Sequence, residues 1–231
     1  MHTRTRSIAP TLFATTTLLV SAAFAQNQPH SPSVSPMNPS ASLPKESARP
    51  LATSPEALKV VAFWREAGPA LWFAKDAAFD ARFRERFLLD HESAARGELA
   101  QWQSTPEGAL ALVLLLDQFP RNAFRDTARM YDTDAMARKV ASTAFAAGYD
   151  QGIERELRTF FVLPFAHSED LADQDRSVAL ARRIGPVDLA HAQHHRDIVQ
   201  RFGRFPHRNA ILGRESTPQE KDYLANGGYA G

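Results

Sequence analysis

Residues 109–122 read ALALVLLLDQFPRN. The first eight, Ala109 to Leu116, are apolar on every side of a helix. They are too few to cross a bilayer, which takes about 20 such residues. An all-round apolar helix this short belongs at the centre of a folded domain. Asp117 follows at once, and a carboxylate at the end of a buried helix has to be paired, protonated or metal-bound. Pro120 is expected to stop the helix before Arg121 and Asn122.

The flanking sequence shows what surrounds this segment. Ser54-Pro55-Glu56, Thr105-Pro106-Glu107 and Thr217-Pro218-Gln219-Glu220 each place a hydroxyl N-cap, a first-turn proline and an acid in order. Thr217 and Glu220 have capping-box spacing. Helices are expected at 55–67, 76–96, 106–118, 133–147, 151–162, 169–184, 187–202 and 218–225. Gly68, Gly97, Gly148, Gly185 and Gly203 stand at their ends. Phe79, Phe83 and Phe87 recur every four residues, a core-facing stripe. No alternating run bounded by turn residues suggests a strand. The expected fold is all-α, with about eight helices packed as antiparallel pairs around the central apolar one.

The 231 residues are 44% hydrophobic and 23% charged, ordinary for a globular protein. A net charge of +1 carries no nucleic-acid footprint. With no cysteine, disulfides, thiol nucleophiles and thiolate metal sites are excluded. Arg4 and Arg6, the apolar stretch from Ile8 to Phe24 and the small-x-small run Ala23-Phe24-Ala25 read as a signal peptide over 1–25. Export to the periplasm or medium is expected, with no membrane attachment once the leader is cleaved. Residues 26–50 hold six Pro and six Ser and no aromatic residue, and read as a disordered tether. Residues 51–231 are left for one helical domain. Losing Arg4 and Arg6 leaves 25 basic against 26 acidic residues, nearly neutral.

Phe119-Pro120-Arg121-Asn122 recurs downstream as Phe205-Pro206-His207-Arg208-Asn209. Both follow a helix, so two equivalent helix–loop junctions are expected. Their Arg-Asn pairs either share one polar pocket or tie down the carbonyls of their own helix ends. The second copy is the denser. Arg201, Arg204, His207, Arg208 and Arg214 interleave with Phe202, Phe205, Ile211 and Leu212, a pattern suited to a pocket wall that grips carboxylate or phosphate. It is equally suited to structural ion pairs with Asp117, Glu169 and Asp170.

Ser168 reads as an N-cap with Glu169 and Asp170 in the first helical turn, while His167 stands just outside it, a candidate base, metal ligand or anion partner. His191 and His195 share a helix side at metal-chelating spacing, yet Ala192 replaces the glutamate of a zincin helix. A metal would take a set such as His167, Glu169 and His195; partly buried core histidines are the simpler account. No glycine-rich phosphate loop or Gly-x-Ser-x-Gly elbow is present.

Val61-Ala62-Phe63-Trp64, Trp72-Phe73, Leu115 to Asn122, Phe161 to Asp170 and Arg201 to Thr217 occur in an order that resembles the bacterial domain-of-unknown-function family nine-two-four. The resemblance covers about 55–225, and its last segment is long and specific. It implies an all-helical, tetratricopeptide-like fold and no established activity or cofactor. The positions that match the family pattern are Asp117, Gln118, Arg121, Asn122, His167, Ser168, Glu169, His195, Arg204, His207, Arg208, Asn209 and Arg214. Family members typically begin near the first helix, so the leader and tether are additions.

Two functions follow. In the first, Arg121, Arg204 and Arg208, with Asn122, His207, Asn209 and Arg214 around them, hold a small anion. His167 or His195 is then the acid/base, oriented by Asp117 or Glu169. Hydrolysis is the expected reaction, and the cofactor is left unknown. In the second, the chain is a helical-repeat-like module that binds a peptide or protein without catalysis.

Overall fold

The Thr105 hydroxyl accepts the Gly108 backbone N–H at 3.2 Å and opens the central helix as expected. Gly108 is needed there, because a Cβ would run into the Trp102 carbonyl. This computed structural model describes residues 52–231, so the leader and tether expectations lie outside the described residues. The described residues are all-helical, with no strand, and no helix among them is long and apolar enough to cross a membrane.

Helix α1 runs Pro55–Ala67, α2 Pro69–Trp72, α3 Ala77–Ala95, α4 Pro106–Val113, α5 Phe119–Ala123, α6 Asp134–Ala146, α7 Thr159–Ala166, α8 Leu171–Ile184, α9 Pro186–Phe202 and α10 Pro218–Ala225. Every residue of α4 from Gly108 to Val113 is buried. Around it pack α1, α6 and α7, while α8 lies against both α7 and α9. The Phe79–Phe83–Phe87 stripe faces inward, with Phe63 stacked on Phe79 at 5.5 Å and on Phe83 at 5.3 Å. The Thr217–Glu220 capping box forms in both directions.

Four local expectations are corrected. First, the central helix does not end at 118. It passes through a π-turn over Leu114–Gln118 into α5, with Pro120 inside the continuous run. The Phe119 N–H reaches back five residues to the Leu114 carbonyl, leaving the Leu115 carbonyl without its usual donor. Pro120 has no N–H to give Leu116. Both carbonyls are met from outside, Leu115 by His91 Nδ1 at 2.8 Å and Leu116 by the Thr133 hydroxyl at 2.5 Å.

Second, the helix expected at 151–162 lies at 159–166. Tyr149–Gly152 and Arg155–Leu157 form only single 3-10 turns, with Ile153 and Leu157 as their isolated buried anchors instead of a continuous apolar helix face. The run FFVLPFA is the part that inserts beside α4, even with Pro164 inside it.

Third, α8 is capped by Asp170, whose carboxylate accepts Ala172 and Asp173 N–H groups at 2.8 and 3.2 Å. Ser168 instead accepts the Asp170 N–H, and Glu169 lies outside the helix, free to reach elsewhere. Fourth, Ser54 occupies the N-cap position of α1 but makes no cap bond; its hydroxyl donates to Glu56 at 2.9 Å.

Candidate functional site

The π-turn positions the site. It turns Asp117 into the protein, where the side chain is fully buried. One carboxylate oxygen, Oδ2, accepts the Gln118 amide at 2.7 Å. The other, Oδ1, lies 2.9 Å from His167 Nδ1 and 3.3 Å from Arg121. Burial works to raise the Asp117 pKa, but the Arg121 guanidinium and His167 outweigh it and hold the carboxyl well below its usual range. An ionised Asp117 can only accept, so Nδ1 of His167 carries the proton and Nε2 presents a lone pair. Burial and the nearby Arg121 lower the His167 pKa against the pull of Asp117, favouring the neutral ring. His167 occupies the C-cap of α7, its N–H on the Leu163 carbonyl at 2.8 Å.

Arg121 is fully engaged. It donates to both oxygens of Asp134 at 2.8 and 3.0 Å and to the Asp117 carbonyl at 2.7 Å. Asn122 and Arg125 both bond to Asp80. Tying down its own helix, one of the two roles foreseen for Arg121, is thus realised, while its side chain still borders the cavity described next.

A cavity of about 320 Å³ opens beside this cluster. Its wall includes Arg121, Asn122, Gln118, His167, His195, His207 and Arg208 from the expected set. Trp72, Phe73, Met130, Leu163 and Ile211 form apolar parts, and Tyr131, Arg125, Lys75, Asp126 and the tail residues Tyr229 to Gly231 also line it. Arg208 stands apart. It is only 7% exposed, and its guanidinium lies against the rings of Tyr131 and Phe205, 4.6 and 4.5 Å from their centroids. Among the described residues it pairs with no carboxylate, and its buried Nε has no hydrogen-bond partner. The buried Nδ1 of His207, next in sequence, is unpartnered as well. Burial, then the repulsion of Arg121, lower the Arg208 pKa, and burial, then Arg208, lower His207 to about 4. An arginine nonetheless keeps its charge.

His195 is less available than His167. Its Nδ1 donates to the His191 carbonyl at 2.9 Å, and Tyr229 Oη is 3.3 Å from Nε2. Burial holds its pKa down at about 4, only partly opposed by that carbonyl.

The remaining expected residues sit outside the cavity wall. Arg204 grips both oxygens of Glu220 at 2.6 and 2.8 Å. Arg214 grips both oxygens of Glu169 at 2.6 and 3.0 Å, and Glu169 also accepts the Phe205 N–H at 2.8 Å. Asn209 links Ser216, Glu220 and Arg214. This network holds the 205–208 turn from behind. Among the described residues no three His, Asp or Glu side chains gather as a metal site, so His167, Glu169 and His195 do not form the metal set considered above.

Sequence reading missed Tyr131 and Tyr229. Neither stands in a patterned segment, and their place beside Arg208 and His195 arises only from tertiary packing.

Residues 60–228 match a family described as a bacterial protein of unknown function (DUF924). A solved structure of a protein of unknown function from Agrobacterium tumefaciens shares 56% sequence identity, with a TM-score of 0.73. The match covers 74% of this chain and 97% of that one. No curated protein matches.

Proposed function

The chain belongs to the DUF924 family of bacterial proteins of unknown function, and since no relative lends it an activity, we propose from its geometry that it binds a small organic anion in the cavity beside Asp117 and His167. The observation that carries this is Arg208, a buried guanidinium that lines the cavity and, among the described residues, has no carboxylate against it. An unpaired buried charge is costly, and a bound anion relieves that cost. His167, held at Nδ1 by Asp117 and with no partner on Nε2 among the described residues, is the acid/base of the site. Hydrolysis is the reaction class this serves: Nε2 takes a proton from water as the water oxygen bonds to an electrophilic carbon of the bound ligand, the bond from that carbon to the leaving group breaks, and Nε2–H returns the proton to the leaving group. The leader read in the sequence over 1–25 supports export, so the work is done outside the cytoplasm, where water is at hand and a nucleotide pool is not.

The test is a thermal-shift panel of carboxylate and phosphate metabolites on the full chain. A ligand at about 100 times its Kd adds about 2.7 kcal/mol, or roughly 5–10 °C for a protein of this size. The expected result is one such shift, absent in Arg208→Met. A flat panel overturns the reading and favours the tetratricopeptide-like interaction module, for which a peptide or protein partner is then the object of search.

A further inference from the structure

Resting on that reading, we infer that the anion is a single carboxylate on an apolar body rather than a phosphate. The first ground is how Arg208 is presented. The Tyr131 and Phe205 ring centroids lie 4.6 and 4.5 Å from the centre of its guanidinium, so apolar ring surface takes up part of its surroundings and a ligand is met by its N–H groups, which form a fork. A planar carboxylate with two oxygens fits one such fork.

The second ground is charge. A phosphate monoester is close to dianionic at neutral pH, and its three oxygens call for several cations. The other guanidiniums on this wall are already neutralised, Arg121 by Asp134 and Asp117, and Arg125 by Asp80. His195 is buried and His207 half-buried beside them, in an environment that favours the uncharged ring. Lys75 is an exposed rim residue. Arg208 is thus the one deep cation among the described residues left to balance, and a monoanion balances it.

The third ground is the rest of the wall. Trp72, Leu163, Met130 and Ile211 offer apolar surface within a cavity of about 320 Å³. That volume lies at the small end of ligand pockets, which span about 300–1,000 Å³.

The experiment is isothermal titration of the full chain with three ligands that share one body: phenylacetate, phenylacetamide and phenyl phosphate. Acetate and inorganic phosphate serve as minimal probes. Phenylacetate is expected to bind, the neutral amide at least 10-fold more weakly, phenyl phosphate more weakly than phenylacetate, and acetate to compete. Arg208→Lys keeps the charge without the fork and should lose at least 10-fold in carboxylate affinity. Arg208→Met, checked for folding by circular dichroism, should bind none of them. Phosphate compounds binding as well as or better than carboxylates would overturn the carboxylate inference and leave the anion pocket standing. No binding by any anion, with a folded wild type, would overturn both. Equal binding by Arg208→Met would remove Arg208 from the site.

Discussion

Arg121 and Arg208 are neighbouring cations with opposite dependence on the fold. Arg121 answers two buried carboxylates, so Arg121→Met leaves Asp117 and Asp134 without their cation. Breaking a buried pair from one side costs about 3–5 kcal/mol, and urea denaturation should show a loss of that size. Arg208 answers none among the described residues, so Arg208→Met removes an uncompensated charge while an unbranched side chain still fills the space against Tyr131 and Phe205. Without ligand this variant should be at least as stable as the parent, by up to about 1–4 kcal/mol. A loss matching that of Arg121→Met would mean that Arg208 is a structural tie. The sequence marked both residues but ranked Arg204 and Arg214 beside them. The distinction lies in Glu220 and Glu169, which are 16 and 45 positions away and claim the other two guanidiniums. No local pattern reveals partners at such separations.

At the scale of elements, the decisive feature is the π-turn. The apolar run and Asp117 were legible from residue type alone, and the centrality of α4 followed from them. That the helix continues past Pro120 was not, because it depends on two distant donors, His91 and Thr133, supplying the Leu115 and Leu116 carbonyls. Thr133→Val keeps the shape and removes one donor. It should lose about 1–3 kcal/mol, the cost of a buried carbonyl left unsatisfied, whereas Thr133→Ser should lie close to the parent in the same denaturation experiment. If valine is tolerated as well as serine, the bond to Leu116 does not support the turn. The misplaced helix at 151–162 has a related cause: apolar surface that can be buried against α4 outweighs local propensity.

For the whole molecule, the cavity is an assembly of segments far apart in the chain, from Trp72 to the tail. The sequence supplied most of its polar members, the repeated Phe-Pro-Arg-Asn theme and the histidines. It did not supply the aromatic rings against Arg208 or the tail, since convergence is a property of the packed fold. The same packing sets a pH response. His195 and His207 fall from an ordinary 6.5 to about 4 on folding, because burial disfavours their charged forms. Between these values the unfolded chain binds more protons than the folded one, so the stability these groups contribute is complete above about 6.5 and is lost as the pH falls toward 4. Glu220, lowered to about 2 chiefly by its bond from Arg204 despite burial, adds a loss that starts near 4.5 and runs in the same direction. The Tm should therefore fall steadily from pH 7 to pH 4, and the decline above pH 5 should shrink in His207→Gln. A constant Tm across that range would show that neither ring is shielded.

Trp72 turns its indole N–H to the Trp64 carbonyl at 2.6 Å and is one of the residues of the cavity wall, whereas Trp64 and Trp102 are not part of that wall. One of the three native tryptophans is thus an internal fluorophore at the place where a ligand would sit. Occupancy should be readable as a change in intrinsic emission without any label, and Trp72→Phe should silence that signal while the other two tryptophans go on reporting the state of the core.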